Sequence, residues 1–266
     1  MASLDDPRLA QYRHIGDPAY LRAERLFVAE GRLVVRRLLA SHSWQTESVL
    51  VTHAAYESLG AVLDERSPSV PIYIVDQAQM NHLVGFNIHR GCLALAVRPD
   101  EKALSSADVG QVSRAVILEG VNNPDNVGGI FRSAAAFGVD LVVLGPDCGD
   151  PLYRKAVRTS MAATLEVPFA VARAWPDAIA SLRMSGFTVV ALTPDPQARP
   201  LAAVPASASR IALLVGAEGD GLTRGALDAA DVHARIPMTP RVDSLNVTTA
   251  ASIAMYHVFG DADGRR

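Results

Sequence analysis

Short runs of apolar, often β-branched residues recur along the chain, bounded by glycine, proline or asparagine, with amphipathic stretches between them. In the first hundred residues Phe27–Glu30 reads as a strand turning at Gly31, Leu33–Leu39 as an amphipathic helix and Ser48–Thr52 as a strand. Ala54–Leu63 follows as a helix, Val70–Val75 as a strand, Ala78–Leu83 as a short helix and Cys92–Val97 as a last strand. This alternation predicts a small α/β/α domain with its own core over residues 1–100. The composition turns polar, without an apolar period, near residues 98–113, which predicts a linker at 101–113. Beyond it the alternation restarts. Strands are predicted at Ala115–Leu118, Leu141–Leu144, Phe187–Leu192, Ile211–Val215 and Val232–Ile236, and helices at Val127–Phe137, Leu152–Thr159, Trp175–Met184, Thr223–Ala229 and Val247–Phe259. Strands without polar alternation are buried on both faces, so residues 114–266 are expected to form a parallel sheet with helices on both sides.

Composition narrows the functional classes. The 266 residues are 49% hydrophobic and 20% charged with a net charge of −3, a balance that excludes gripping nucleic acid by bulk positive charge while leaving room for a local basic patch. Lys102 and Lys155 are the only lysines, a bias attributable to a GC-rich coding sequence. Two distant cysteines, Cys92 and Cys148, form no metal pattern and suit a reducing compartment. His14, His42, His53, His82, His89, His233 and His257 show no ligand spacing, so no metal is expected. The first residues carry acids and a proline before any apolar run, and no stretch approaches the ~18 apolar residues of a membrane span. A soluble, cytoplasmic protein without a signal peptide is expected.

Three loops carry the candidate chemistry, each at the carboxyl end of a predicted strand, where open α/β sheets bind ligands. In Asn122–Gly138 Asn126 is placed to cap a helix that Gly138 closes. On its wheel Ile130, Ala134 and Phe137 share one face, and Gly128, Arg132 and Ala135 the opposite one. Arg132 thus points away from the apolar stripe, beside a glycine that leaves room for a ligand; a solvated arginine is the plain alternative. A dinucleotide site lacks its G-x-G-x-x-G, although Asp147 sits near where a ribose-binding acid would fall. In Leu213–Leu222 three glycines allow close backbone approach, and the loop carries Glu218 and Asp220 but no lysine. That suits a neutral or cationic ligand better than a phosphate. In Ile236–Thr248, Ser244 or Asn246 could serve simply as a helix cap. The helix that follows is apolar around most of its circumference, which points to a subunit interface. Arg154-Lys155-Ala156-Val157-Arg158 is the densest basic cluster of this half, either a solvated face or a phosphate contact.

N-x-G-x-x-x-R (Asn126–Arg132), G-x-E-G-x-G-L (Gly216–Leu222) and I-P-M…S-L-N-V (Ile236–Val247), in that order, resemble the three signature motifs of the SpoU/TrmH class of SPOUT methyltransferases. Val157–Pro168 resembles the family's intervening segment, with Ala162 where glycine is usual, and Asp243 stands where many relatives have glutamate. The F-V-A-E-G opening (Phe27–Gly31) resembles the ribosomal-protein-like RNA-binding domain of the rRNA-directed branch. The resemblance implies an α/β fold with a C-terminal trefoil knot, and 2′-O-methylation of RNA ribose with S-adenosylmethionine as donor. It implies a homodimer joined through the first and last helices of the catalytic domain. Leu214, Val215, Gly216, Gly219, Ile236, Met238, Ser244 and Leu245 would surround the cofactor, and Arg132 would be the central catalytic residue, assisted by Asn126, Glu218, Ser244 and Asn246. A guanidinium hardly ever loses its proton, so Arg132 is expected to bind the neighbouring phosphate and stabilise the developing alkoxide. Arg32, Arg36, Arg37, Arg154, Lys155 and Arg158 are the candidate RNA contacts. Ribosomal RNA is favoured over transfer RNA, with a link to antibiotic insensitivity open. The alternatives are a tRNA methyltransferase, a non-catalytic RNA-binding protein of the same fold, and a nucleotide-dependent oxidoreductase.

Overall fold

The structure, a computed structural model, describes residues 6–66, 69–88, 90–204 and 209–260. His89 and residues 205–208 of the Ala-rich stretch at 200–209 lie outside them. Two compact units are present, one of residues 1–100 with 152–165 and the other of 101–151 with 166–266.

The first unit opens with a 3₁₀ helix, Pro7–His14, and α1, Pro18–Ala23. Neither was anticipated from apolar periodicity, yet both begin with an aspartate cap followed by proline at the first helical position, Asp6-Pro7 and Asp17-Pro18. There follow β1 (Leu26–Glu30), α2 (Arg32–Ala40), β2 (Thr46–Val51), α3 (His53–Arg66), β3 (Ile72–Ile74), α4 (Gln77–Val84) and β4 (Cys92–Val97), close to the predicted bounds. The sheet runs β1-β4-β2-β3, with β4 antiparallel to both β1 and β2, and β3 parallel to β2. One face of it packs Val28, Leu50, Leu93 and Leu95 against Leu9, Tyr12, Met80 and Leu83.

The second unit contains α5 (Ser106–Val109), β5 (Arg114–Leu118), α6 (Pro124–Ala136) and β6 (Leu141–Leu144). The next helix along the chain, α7 (Arg154–Thr159), belongs to the first unit. The second unit continues with β7 (Phe169–Val171), α8 (Asp177–Met184), β8 (Thr188–Leu192), β9 (Arg199–Pro200), β10 (Ile211–Val215), α9 (Arg224–Ala229), β11 (Val232–Arg235) and α10 (Val247–Phe259). Its seven strands lie in the order β7-β6-β5-β10-β8-β11-β9, every pairing parallel. β7 and β9 were not anticipated, being only three and two residues long. Within residues 101–113, α5 carries a Ser105/Asp108 capping box, and Val109 and Val112 are buried in the sheet core with Ile179 and Leu182 of α8 and Ala226 of α9.

α6 and α10 lie against each other, and their seam is set by one glycine. A Cβ on Gly129 would fall 2.6 Å from Thr248 Cγ2, while the Ser133 and Ser252 hydroxyls meet at 2.7 Å. Gly129→Ala is expected to lower the urea midpoint. Overpacking of this kind costs ~1–3 kcal/mol, whereas alanine's helix preference returns at most ~1 kcal/mol. Adding Thr248→Ser, which removes the offending methyl, should restore the midpoint; a single variant as stable as wild type would show the seam is slack.

Candidate functional site

The strand order reverses between β5 and β10, since the chain proceeds from β5 toward β6 and β7 on one side and later builds β10, β8 and β11 on the other. Ligand crevices form at the carboxyl ends of strands at such a switch. Two cavities are found there, sharing the loop that follows β10.

The larger, about 470 Å³, lies over the ends of β8, β10 and β11. Seven of the eight residues expected around the cofactor line it: Val215, Gly216, Gly219, Ile236, Met238, Ser244 and Leu245. Leu214 does not. Strand alternation turns its side chain into the sheet core among Ile117, Val189 and Ala191, where it is fully buried. Leu192, the last residue of β8, and Thr193 and Pro194 after it also line the wall and were missed, although a Thr-Pro loop behind an apolar run carries the same strand-end signal as the others. Among the described residues Glu218 is the only acidic or basic one in the lining. Backbone shape matters as much as side chains: the loop doubles back so tightly that a Cβ on Gly216 would strike the Gly221 backbone, and Gly219 and Gly221 hold positive φ.

The smaller cavity, about 330 Å³, lies beside the end of β5 and is lined by Glu119, Asn122, Asn126, Asp147, Glu218 and Asp220 among others. Between the cavities three expected catalytic residues meet. The Asn246 amide donates to Asn126 Oδ1 at 2.9 Å and to Glu218 Oε1 at 2.6 Å. Its own Oδ1 accepts from Thr249 N at 3.2 Å, so Asn246 is both the cap of α10 and the centre of this cluster. Ser244 lines the larger cavity and is exposed.

Two expectations for the first motif are corrected. Asn126 is not the helix cap: Asn123 fills that position by accepting from Asp125 N at 2.9 Å, with Pro124 at the first turn. Asn126 lies inside α6, 7% exposed, where its carboxamide is available to Asn246. The glycine that leaves room is Gly129 rather than Gly128, which is buried, and what approaches it is α10. Arg132 is exposed on α6 and lines neither cavity. Six residues beyond Asn126, it is turned about 120° around the helix from it and lies about 9 Å further along the axis.

The basic cluster is also corrected as a set of free phosphate contacts. Arg154 and Arg158 hold the carboxylate of Glu30 at 2.7 and 3.1 Å, Glu30 being 3% exposed. Arg154 also stacks on Phe86 at 4.4 Å, and Lys155 is itself engaged. In the same unit Arg37 donates to Met161 O at 2.9 Å and Arg36 to Ser58 O at 3.0 Å, while Arg32 Nε is buried without a partner among the described residues. Both cysteines are free, and burial pushes the Cys92 thiol up to about 12. Among the described residues no group of three or more His, Cys, Asp or Glu is placed to hold a metal ion, and no helix is long and apolar enough to cross a membrane.

Known proteins are similar to this chain in sequence and in fold. Residues 113–256 match the family model for the SpoU rRNA Methylase family. An uncharacterised tRNA/rRNA methyltransferase of Mycobacterium tuberculosis (strain H37Rv) is 44% identical over 259 residues, 95% of this chain and 88% of the relative. The 23S rRNA (guanosine(2553)-2'-O)-methyltransferase RlmP of Bacillus subtilis is 26% identical over 234 residues, 88% of each chain. The fold matches the AdoMet-bound rRNA methyltransferase from Sinorhizobium meliloti with a TM-score of 0.79 at 23% identity, covering 100% of this chain and 98% of that one. It also matches the SpoU methyltransferase AviRb from Streptomyces viridochromogenes, in complex with AdoMet, with a TM-score of 0.78 at 19% identity over 97% and 100% of the two chains. A parallel sheet with its ligand crevice at the strand ends, three ordered loop motifs that converge there and a family match over more than half the sequence lead to one conclusion: this chain belongs to the SpoU rRNA methylase family.

Proposed function

We propose that this protein transfers the methyl group of S-adenosylmethionine to a ribose 2′-hydroxyl of structured RNA, ribosomal RNA before transfer RNA. One observation carries the reading: the larger cavity is lined by main chain, apolar side chains and the neutral polar Thr193, Ser244 and Asn246, and among the described residues its single ionisable residue is the acid Glu218. A sulfonium cation is compatible with such a lining, whereas a phosphate would need donors and positive charge there. In the reaction the 2′-oxygen bonds to the methyl carbon as the carbon–sulfur bond breaks; the sulfur leaves as a neutral thioether and the hydroxyl proton is released. Asn126, Asn246 and Glu218 orient one side of this exchange, Ser244 and Leu245 flank the donor, and Arg132 supports the oxygen's developing charge.

The position of Arg132, on a different face of α6 from Asn126, supports a homodimer in which each site is completed by the other chain. So does α10, which buries six of its thirteen residues yet leaves the large apolar side chains of Ile253 39% and Tyr256 69% exposed. The trefoil knot of the C-terminal segment and a cytoplasmic location belong to the same reading. Residues 1–100 would recognise the RNA by shape, with Arg32, Arg36 and Arg37 nearest that role. Ribosomal RNA is favoured by the names of relatives such as RlmP.

Calorimetric titration is expected to show S-adenosylhomocysteine binding and no NAD binding. Ribose-methylation mapping of total RNA should show one position lost when the protein is absent. Binding of NAD alone would sink the reading and restore the oxidoreductase.

A further inference from the structure

The glycine loop that serves both cavities is fastened at its far end by a residue outside all three motifs. Glu119 follows β5 directly and is 4% exposed. Its main-chain N–H donates to Val215 O at 3.0 Å, beside the point where the loop leaves β10. Its carboxylate accepts three hydrogen bonds: Trp175 Nε1 at 2.6 Å, Thr223 Oγ1 at 2.7 Å and Thr223 N at 2.9 Å. Thr223 is where the loop ends, and its hydroxyl also accepts from Ala226 N at 3.2 Å to cap α9. Both limbs of the loop are therefore tied to one residue. Between those ties the loop is held by its own turn, with Gly221 N donating to Ala217 O at 3.1 Å, and by Glu218, whose carboxylate accepts from Asn246 at 2.6 Å.

Resting on the function proposed above, we infer that Glu119 is a positioning residue: acting through Thr223, it sets the path of Gly216–Leu222 and so the shape of the cofactor cavity. Glu119 does not line that cavity. What marks it is the charge. No lysine or arginine pairs with it among the described residues, and a buried carboxylate without a counter-ion is costly to keep. All three partners here are donors, however, and two of them, Trp175 Nε1 on one carboxylate oxygen and Thr223 N on the other, can do nothing but donate. A glutamine could present only one oxygen and would aim its NH₂ at a donor in either orientation. The pattern requires a carboxylate.

The full-length protein with Glu119→Gln, Glu119→Asp, Thr223→Val and Trp175→Phe is the test, read by calorimetric Kd for S-adenosylhomocysteine, by KM for the donor against kcat, and by thermal melting. Glu119→Gln is expected to weaken binding and raise KM by ~10-fold or more. Glu119→Asp, which keeps the charge, should recover part of that loss. Trp175→Phe leaves both ties to Thr223 in place and should bind as wild type does, even if it melts earlier. If Glu119→Gln fails to fold, Thr223→Val decides, with a smaller shift in the same direction expected. Folded Glu119→Gln, or in its absence Thr223→Val, binding within about twofold of wild type overturns the inference, whatever its melting temperature. Wild-type protein that fails to bind S-adenosylhomocysteine would instead overturn the proposed function itself.

Discussion

Arg132→Ala is expected to lower the methylation rate by ~10²–10³ while leaving S-adenosylhomocysteine affinity and the melting temperature at wild-type values. The residue is exposed and lines neither cavity, so its removal opens no hole in the core and strips nothing from the donor site. In the role proposed for Arg132, the loss would be that of a pair of N–H donors to the phosphate and to the oxygen as it gains charge. Arg132→Lys should fall nearly as far. An ammonium keeps the charge, but it cannot reproduce the planar fork that holds two oxygens at once. A general-base role predicts the opposite order, because lysine surrenders a proton more readily than arginine. Single-turnover methylation of the RNA with both variants separates the two, and near wild-type rates for both would remove Arg132 from the mechanism.

The second large effect concerns stability. The double substitution Arg154→Ala and Arg158→Ala is expected to destabilise the protein by ~3–5 kcal/mol, because it strands the buried Glu30 carboxylate without a counter-ion. Arg154, whose side chain is 23% exposed and stacked on Phe86, should account for most of the loss; Arg158, at 45%, is screened by solvent and contributes less. Adding Glu30→Gln to the double variant should recover much of the deficit, since a neutral amide is far less penalised by burial than a carboxylate. Urea unfolding of the series measures this. A double variant within ~0.5 kcal/mol of wild type would show that Glu30 finds other partners and that the arginines are free for RNA after all.

The same two arginines show where local reading fails. As a sequence, Arg154–Arg158 is a basic helix face, and nothing near it announces a buried acid, because that acid lies 124 and 128 residues away. Glu30, for its part, sits in a strand whose other positions are all apolar, and its burial follows from strand pairing alone. Asn126 is a similar case. Asparagine before an apolar helix signals a cap, and two asparagines, Asn123 and Asn126, competed for that position. The proline after Asn123 decided it, leaving Asn126 free for a contact that spacing does not reveal.

The short Pro7–His14, α1, α5, β7 and β9 do not follow from the sequence alone; the order of the longer strands and helices, the parallel character of the larger sheet and the three loops at its strand ends do. They are written in local signals: β-branched runs too apolar for an exposed face, asparagine and proline at helix starts, glycine where the backbone must bend left-handed. Seven of the eight positions expected around the cofactor line the larger cavity because those loops place them there. Only the folded chain decides which side chains meet. Asn126, Glu218 and Asn246 touch because β5, β10 and α10 are brought together, and the asparagine pair spans 120 residues of sequence. Arg132 faces away from them, and Glu119 holds a loop 104 residues distant, for the same reason. Local propensity fixes what a segment becomes, but the packing of distant segments fixes what its side chains face, and the chemistry is in the facing.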